Sequence, residues 1–195
     1  MTLTSMLRVA AIAIVAATSA AQAAPQAALP SASVYQLAAN LQDQDGKSFT
    51  FASLRGKPLV ISMFYTSCEY VCPMLVDTIE RDEQALSADE RAQLKTLLVT
   101  FDPERDDAAT LKTTAQKRNL DPARWTLART DAATVRKLAA VLGIQYRKLQ
   151  NGDFNHSTIV VLLDTEGRVV ASTSKMGAVD PDFVAALKKT VHAKK

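Results

Sequence analysis

Cys68 and Cys72, the only cysteines among 195 residues, lie in the run Thr66-Ser-Cys-Glu-Tyr-Val-Cys-Pro73. Two thiols at this spacing can close a structural disulfide, act as a redox pair, or hold a soft metal ion together. A structural bridge is the least economical reading, because so short a loop gains little from closure. Pro73 is expected to open a helix, where its missing N–H would have no partner in any case. Cys72 would then be the N-cap, its sulfur facing unpaired amides and the positive end of the helix dipole, which favours thiolate over thiol. His156, in Phe154-Asn155-His156-Ser157, is the histidine placed to join them. A lone loop histidine is by default a solvated residue. It gains meaning here because it directly precedes a very apolar run, a strand that could deliver it to the same sheet edge as the cysteines. Two Cys and one His form a soft-to-borderline set that suits copper, and Cu(I) in particular tolerates low coordination. Structural zinc would want a fourth ligand. Met63, Met74 and Met176 could add a thioether, although Met63 and Met74 read better as core residues. His192 reads as a helix-surface residue.

The elements that must position these groups follow from hydrophobic periodicity. Leu41 to Gly46 and Lys47 to Phe51 read as a short hairpin, and Leu59 to Tyr65 as a strand covered on both faces. A helix follows, with Leu75, Val76, Ile79 and Leu86 inward and Asp77, Glu80, Arg81 and Glu83 outward. Ser87 to Glu90 is a capping box. Leu97 to Phe101 is the next buried strand, stopped by Asp102-Pro103. Thr110 to Arg118 is expected to be helical, Trp125 to Arg129 a strand, and Asp131 the cap of a helix ended by Gly143. Tyr146 to Leu149 is a strand, Asn151-Gly152 a turn, Thr158 to Leu163 the most apolar strand, and Arg168 to Ser172 its hairpin partner. Asp180-Pro181 caps the last helix. Alternating strands and helices with a closing hairpin give an α/β domain with a mixed sheet. The cysteines then sit at the carboxyl end of a strand, where open α/β sheets place their ligands.

Composition narrows the class. With 48% hydrophobic residues, 22% charged residues, 6 Gly and 7 Pro, the chain is neither disordered nor low-complexity. A net charge of +3 without a basic run gives nucleic-acid binding no support. The first residues carry one positive charge at Arg8, an Ala/Val/Ile run and the small residues Ala21-Gln22-Ala23, the pattern of a cleavable secretory signal. Val9 to Ala24 is about 16 residues, short of the roughly 20 that span a bilayer. No cysteine near the cleavage site could carry a lipid. The expected organisation is a signal peptide over 1–23, a flexible linker over 24–33 and one domain over 34–195, without a stable membrane span after cleavage. The expected compartment is the bacterial periplasm.

Cys-x-x-x-Cys-Pro after a strand, Asp102-Pro-Glu-Arg-Asp106 after the next, and His156-Ser157 before a buried strand ending in Asp164 together resemble the Sco/SenC family of copper-binding proteins. The Gly56-Lys-Pro-Leu lead into the first core strand also fits, and the likeness runs from about Tyr35 to Leu187 in element order. The resemblance implies a thioredoxin-like fold in which Cys68, Cys72 and His156 bind one copper ion, as Cu(I) and also as Cu(II). It implies a metallochaperone rather than an enzyme. The expected role is to deliver copper to the copper-bearing subunit of a haem-copper cytochrome oxidase, or to another periplasmic copper protein, or to reduce the recipient's cysteines. Asp102 and Asp106 match the family's acidic motif and are expected beside the metal ligands or facing a partner. Members often carry an acidic residue where this chain has Tyr70, and Asp where it has Asn155, so tuning of the imidazole would differ while the ligands remain. The alternative is a metal-independent thiol-disulfide oxidoreductase on the same fold.

Overall fold

A computed structural model of the chain describes residues 28–68 and 70–193. The expected signal peptide and the first part of the linker lie outside these residues. Leu29 rests against the core, and Ser33 is bridged to Arg168. After a 3-10 turn at Val34–Gln36 come β1 (Asn40–Asp43) and β2 (Ser48–Thr50), the expected hairpin. β3 (Leu59–Phe64) is buried at every position, as its unbroken apolar run requires. α1 (Val71–Gln84), α2 (Ala88–Gln93), β4 (Lys95–Thr100), α3 (Ala108–Lys117), β5 (Trp125–Arg129) and α4 (Ala132–Val141) follow. The chain ends with β6 (Tyr146–Lys148), β7 (Phe154–His156), β8 (Val160–Leu163), β9 (Val169–Thr173) and α5 (Pro181–His192).

Seven strands form one mixed sheet in the order β2-β1-β5-β4-β3-β8-β9. β3, β4 and β5 run parallel, as their helical crossovers allow, and β8 pairs antiparallel to β3 with Ile61 opposite Val161. That pairing brings the chain just before β8 to the end of β3 from which the cysteine segment leaves. Ser62 Oγ donates to the Ile159 carbonyl at 2.6 Å at this junction. α3 lies over β5 and β1, and α5 packs on β9 and touches α1 and α2. The expected α/β class and mixed sheet are what the structure shows. Among the described residues no helix is long and apolar enough to cross a membrane.

Three local expectations need correction. Glu83 faces inward rather than outward: it is buried, accepts from Thr96 Oγ1 at 2.6 Å and pairs with Arg124 Nη1 at 2.6 Å. α1 is covered over more of its circumference than a surface helix, and a buried carboxylate is tolerated there because both oxygens are satisfied. Met74 is 41% exposed rather than packed in the core, whereas Met63 is buried as expected. Tyr146–Lys148 does not join the main sheet but pairs with β7, a strand where the sequence pattern suggests a loop, in a separate antiparallel hairpin.

Candidate metal centre

Beyond β3 the chain makes a tight turn in which Cys68 N–H donates to the Tyr65 carbonyl at 3.3 Å. α1 then begins at Val71, not at Pro73, so Cys72 lies inside the first turn and Tyr70 is the N-cap. Pro73 still costs nothing, because the first four helical N–H groups lack intrahelical partners. The Tyr70 side chain makes no capping bond. The Cys68 sulfur takes that place, accepting from Cys72 N–H at 3.3 Å.

This placement reverses the expected acidities. Burial opposes ionisation of Cys68, but the Cys72 thiol and the N–H groups of Cys72, Tyr70 and Val71 outweigh it, and the Cys68 thiol is lowered below its ordinary range. Burial pushes the Cys72 thiol well above that range. The thiolate favoured by the helix terminus is therefore the one before the helix, not the one within it. Both residues are free thiols, Cys68 half-buried and Cys72 buried.

His156 arrives from the other side, as the last residue of β7 and opposite Tyr146. Its ring lies 5.0 Å from the Phe101 ring and 6.1 Å from that of Tyr65, centroid to centroid. Phe154 packs edge-on against Tyr65 at 5.2 Å, and Tyr146 lies 4.8 Å from Phe101, so an aromatic cluster seats the hairpin. Nδ1 is 3.2 Å from the Ser157 carbonyl. A carbonyl can only accept, so Nδ1 carries the proton and Nε2 keeps the lone pair that can bind a metal. Burial holds the His156 pKa below its ordinary value, partly opposed by the Ser157 bond, which keeps the imidazole neutral and ready to ligate.

The structure brings Cys68, Cys72 and His156 together, with ligand atoms all within 4.8 Å of one another. Two sulfurs and one imidazole nitrogen at that separation can converge on a single ion with small side-chain adjustments. The donor set fits copper, and Cu(I) most directly, since it accepts three ligands without a fourth. An open groove lined by Tyr65, Ser67, Cys68, Tyr70, Phe154, Asn155 and His156 connects the cluster to solvent.

Asp102 and Asp106 are 2% and 1% exposed, so neither is presented to a partner. Asp106 accepts from Thr66 N–H at 3.0 Å, from the Thr66 hydroxyl and from the Thr100 hydroxyl. Asp102 is ion-paired to Arg105, whose other arm donates to the Gly152 carbonyl in the β6–β7 turn. His192 is exposed and pairs with Glu90 at 2.8 Å, far from the cluster in sequence and lining a different groove. The residues sequence reasoning missed are Tyr65, Thr66, Phe101, Arg105 and Phe154, which hold the ligands rather than supply them. Phe154 and Tyr146 flanking the Asn151-Gly152 turn were the available signal for the hairpin.

A seven-stranded mixed sheet with a Cys/Cys/His cluster beyond the carboxyl end of β3 defines a thioredoxin-like domain with a candidate soft-metal site. The family model described as SCO1/SenC matches residues 30–192, and the chain belongs to that family. A Bacillus subtilis protein named SCO1 protein homolog is 30% identical over 84 residues, which is 43% of each chain. The matched stretches span less than half the length of the curated relatives. Among solved structures, Bradyrhizobium japonicum ScoI with copper bound is similar with a TM-score of 0.66 and 29% identity, covering 78% of this chain and 97% of that one. A SCO1/SenC family lipoprotein from Bacillus anthracis has a TM-score of 0.71 and 25% identity, covering 78% and 92%.

Proposed function

We propose that this protein is a periplasmic copper metallochaperone that carries one copper ion on Cys68, Cys72 and His156. Its recipient would be the copper site of a haem-copper cytochrome oxidase, which it would load or help to reduce. The observation that carries this reading is the convergence of the three ligand atoms within 4.8 Å, from two segments far apart in sequence. Copper bound to the Bradyrhizobium relative supports it, as does family membership. The secretory pattern over 1–23 supports export, and the 24–33 linker followed by the domain over 34–195 completes the proposed organisation. Copper is cargo here. The two thiolates and the neutral imidazole hold it, and the groove gives a recipient's ligands access for stepwise exchange.

The test is a competition titration of the reduced protein against a chromophoric Cu(I) chelator. One copper per chain is expected, with loss of at least about tenfold in affinity for Cys68→Ser, Cys72→Ser and His156→Ala. Unchanged affinity in either cysteine variant would overturn the site. Transfer to a purified apo-oxidase copper domain would then test the recipient.

The asymmetry of the thiols favours a second reading, a thiol-disulfide oxidoreductase without metal. Cys68 is half-buried with a lowered pKa, suited to attack, and Cys72 is buried behind it, suited to resolve the mixed disulfide. The two readings share the reduced state, because a Cys68–Cys72 disulfide leaves no thiolate for Cu(I). They part at His156, which a dithiol reductase would not need.

A further inference from the structure

The acidic segment after β4 does more than end a strand. Asp106 is a fully buried carboxylate whose three short-range donors are all uncharged: Thr66 N–H at 3.0 Å and the hydroxyls of Thr66 and Thr100. Burying an acidic group this deeply is costly unless its oxygens are satisfied, and an acceptor-only group is what three converging donors require. Two of those donors belong to Thr66, two residues before Cys68 in the turn that leaves β3. On the opposite side, the β6–β7 hairpin lies outside the main sheet. Its base is tied by Ser157 N–H to the Gln145 carbonyl at 2.8 Å and by Gln145 N–H to Ser157 Oγ at 2.9 Å. Its tip is reached by Arg105, which donates to the Gly152 carbonyl. Gly152 has φ +87°, and a Cβ there would stand 3.4 Å from Arg105 Nη1, so glycine suits both the turn and the approach of the guanidinium. The two arms share one braced turn. Arg105 N–H and Asp106 N–H both donate to the Asp102 carbonyl, at 3.1 and 2.9 Å, and the Asp102 carboxylate orients the Arg105 side chain.

We infer that the Asp102–Asp106 turn is a two-armed clamp in which Asp106 positions the Cys68 turn and Arg105 positions the hairpin bearing His156, so that it sets the spacing between dithiol and imidazole. Both are positioning residues acting through Thr66 and Gly152. The inference rests on the proposed metal site, because the spacing matters only if one ion engages both sides.

The two arms should separate experimentally. Equilibration of the metal-free protein in glutathione buffers reads the cysteine side alone. Cu(I) competition and the Cu(II)–thiolate absorption read the whole site. Asp106→Asn and Thr66→Val are expected to shift the glutathione equilibrium by about threefold or more and to lower Cu(I) affinity about tenfold. Arg105→Met should leave the glutathione equilibrium within about twofold of the parent, yet lower copper affinity about tenfold and move the absorption toward that of His156→Ala. Arg105→Lys should recover part of that loss. The inference is overturned if Arg105→Met keeps parental affinity and spectrum, or if Asp106→Asn moves neither readout. It is also overturned if every variant shifts both readouts in proportion to its loss of Tm, the signature of general destabilisation. A parent protein that takes up no copper would instead overturn the metal site itself, while the glutathione arm would still judge Asp106.

Discussion

Cys68 and Cys72 lie side by side but differ in burial and in the donors their sulfurs receive. Cys68 receives N–H donors at the start of α1 and is half-exposed, whereas Cys72 is enclosed by the core and its thiol is held well above the ordinary range. Alkylation depends on both thiolate fraction and access. Iodoacetamide at neutral pH is therefore expected to modify Cys68 at least about tenfold faster than Cys72, as read by peptide mass mapping over time. Equal rates would mean that the two environments are not as distinct as the geometry makes them. The chemistry of the pair was legible from spacing, but the assignment of acidity was not. It turned on whether α1 starts at Val71 or Pro73, a difference of two residues that moves one sulfur inside the helix and leaves the other to cap it.

At the level of elements, the middle of the main sheet could be read from the sequence because β3, β4 and β8 are built around buried apolar runs bounded by turn residues. Leu59–Phe64, Trp125–Arg129 and Val160–Leu163 all stand where their patterns put them. β7 is three residues long with one buried position, too short for periodicity to register, and what holds it is aromatic packing across the chain. Glu83 was misplaced for a related reason, since periodicity describes a helix with one covered face and α1 is covered on more. Phe154 is the residue on which the hairpin's seat depends, touching the rings of Tyr65, Phe101 and Tyr146. Phe154→Ala is expected to cost about 3 kcal/mol of stability. Amide exchange is the stronger check. Protection should fall across Tyr146 to His156 more than across β3 and β4, and uniform loss would show that the hairpin is not an independent unit.

For the whole molecule, Asp82 is a thermodynamic liability that lies outside the site. It is buried, it accepts from Asp180 N–H at 3.1 Å through one oxygen, and its other oxygen has no partner. Burial raises its pKa, partly opposed by the Asp180 N–H bond, with the nearby Asp180 carboxylate adding to the rise. A raised carboxyl pKa means that the folded state binds more protons than the unfolded state, so stability falls as pH rises from about 4 through the folded pKa. Asp82→Asn removes that decline. Guanidinium unfolding followed by Trp125 fluorescence should show a smaller loss of stability as the pH rises from about 4 to neutral in the variant than in the parent. An equal loss would place the proton elsewhere.

The antiparallel pairing of β8 with β3 has a consequence for how the molecule is made. Synthesis runs from the amino end, so both sulfurs leave the ribosome long before the imidazole does, and no ligand can be gripped from three sides until the last third of the chain has docked on β3. Whatever occupies all three donors therefore binds only the finished fold, and by mass action it raises the stability of the entire sheet rather than of one loop. Occupancy of the three donors and completion of folding become a single equilibrium, with the chain's own topology acting as the gate on premature binding.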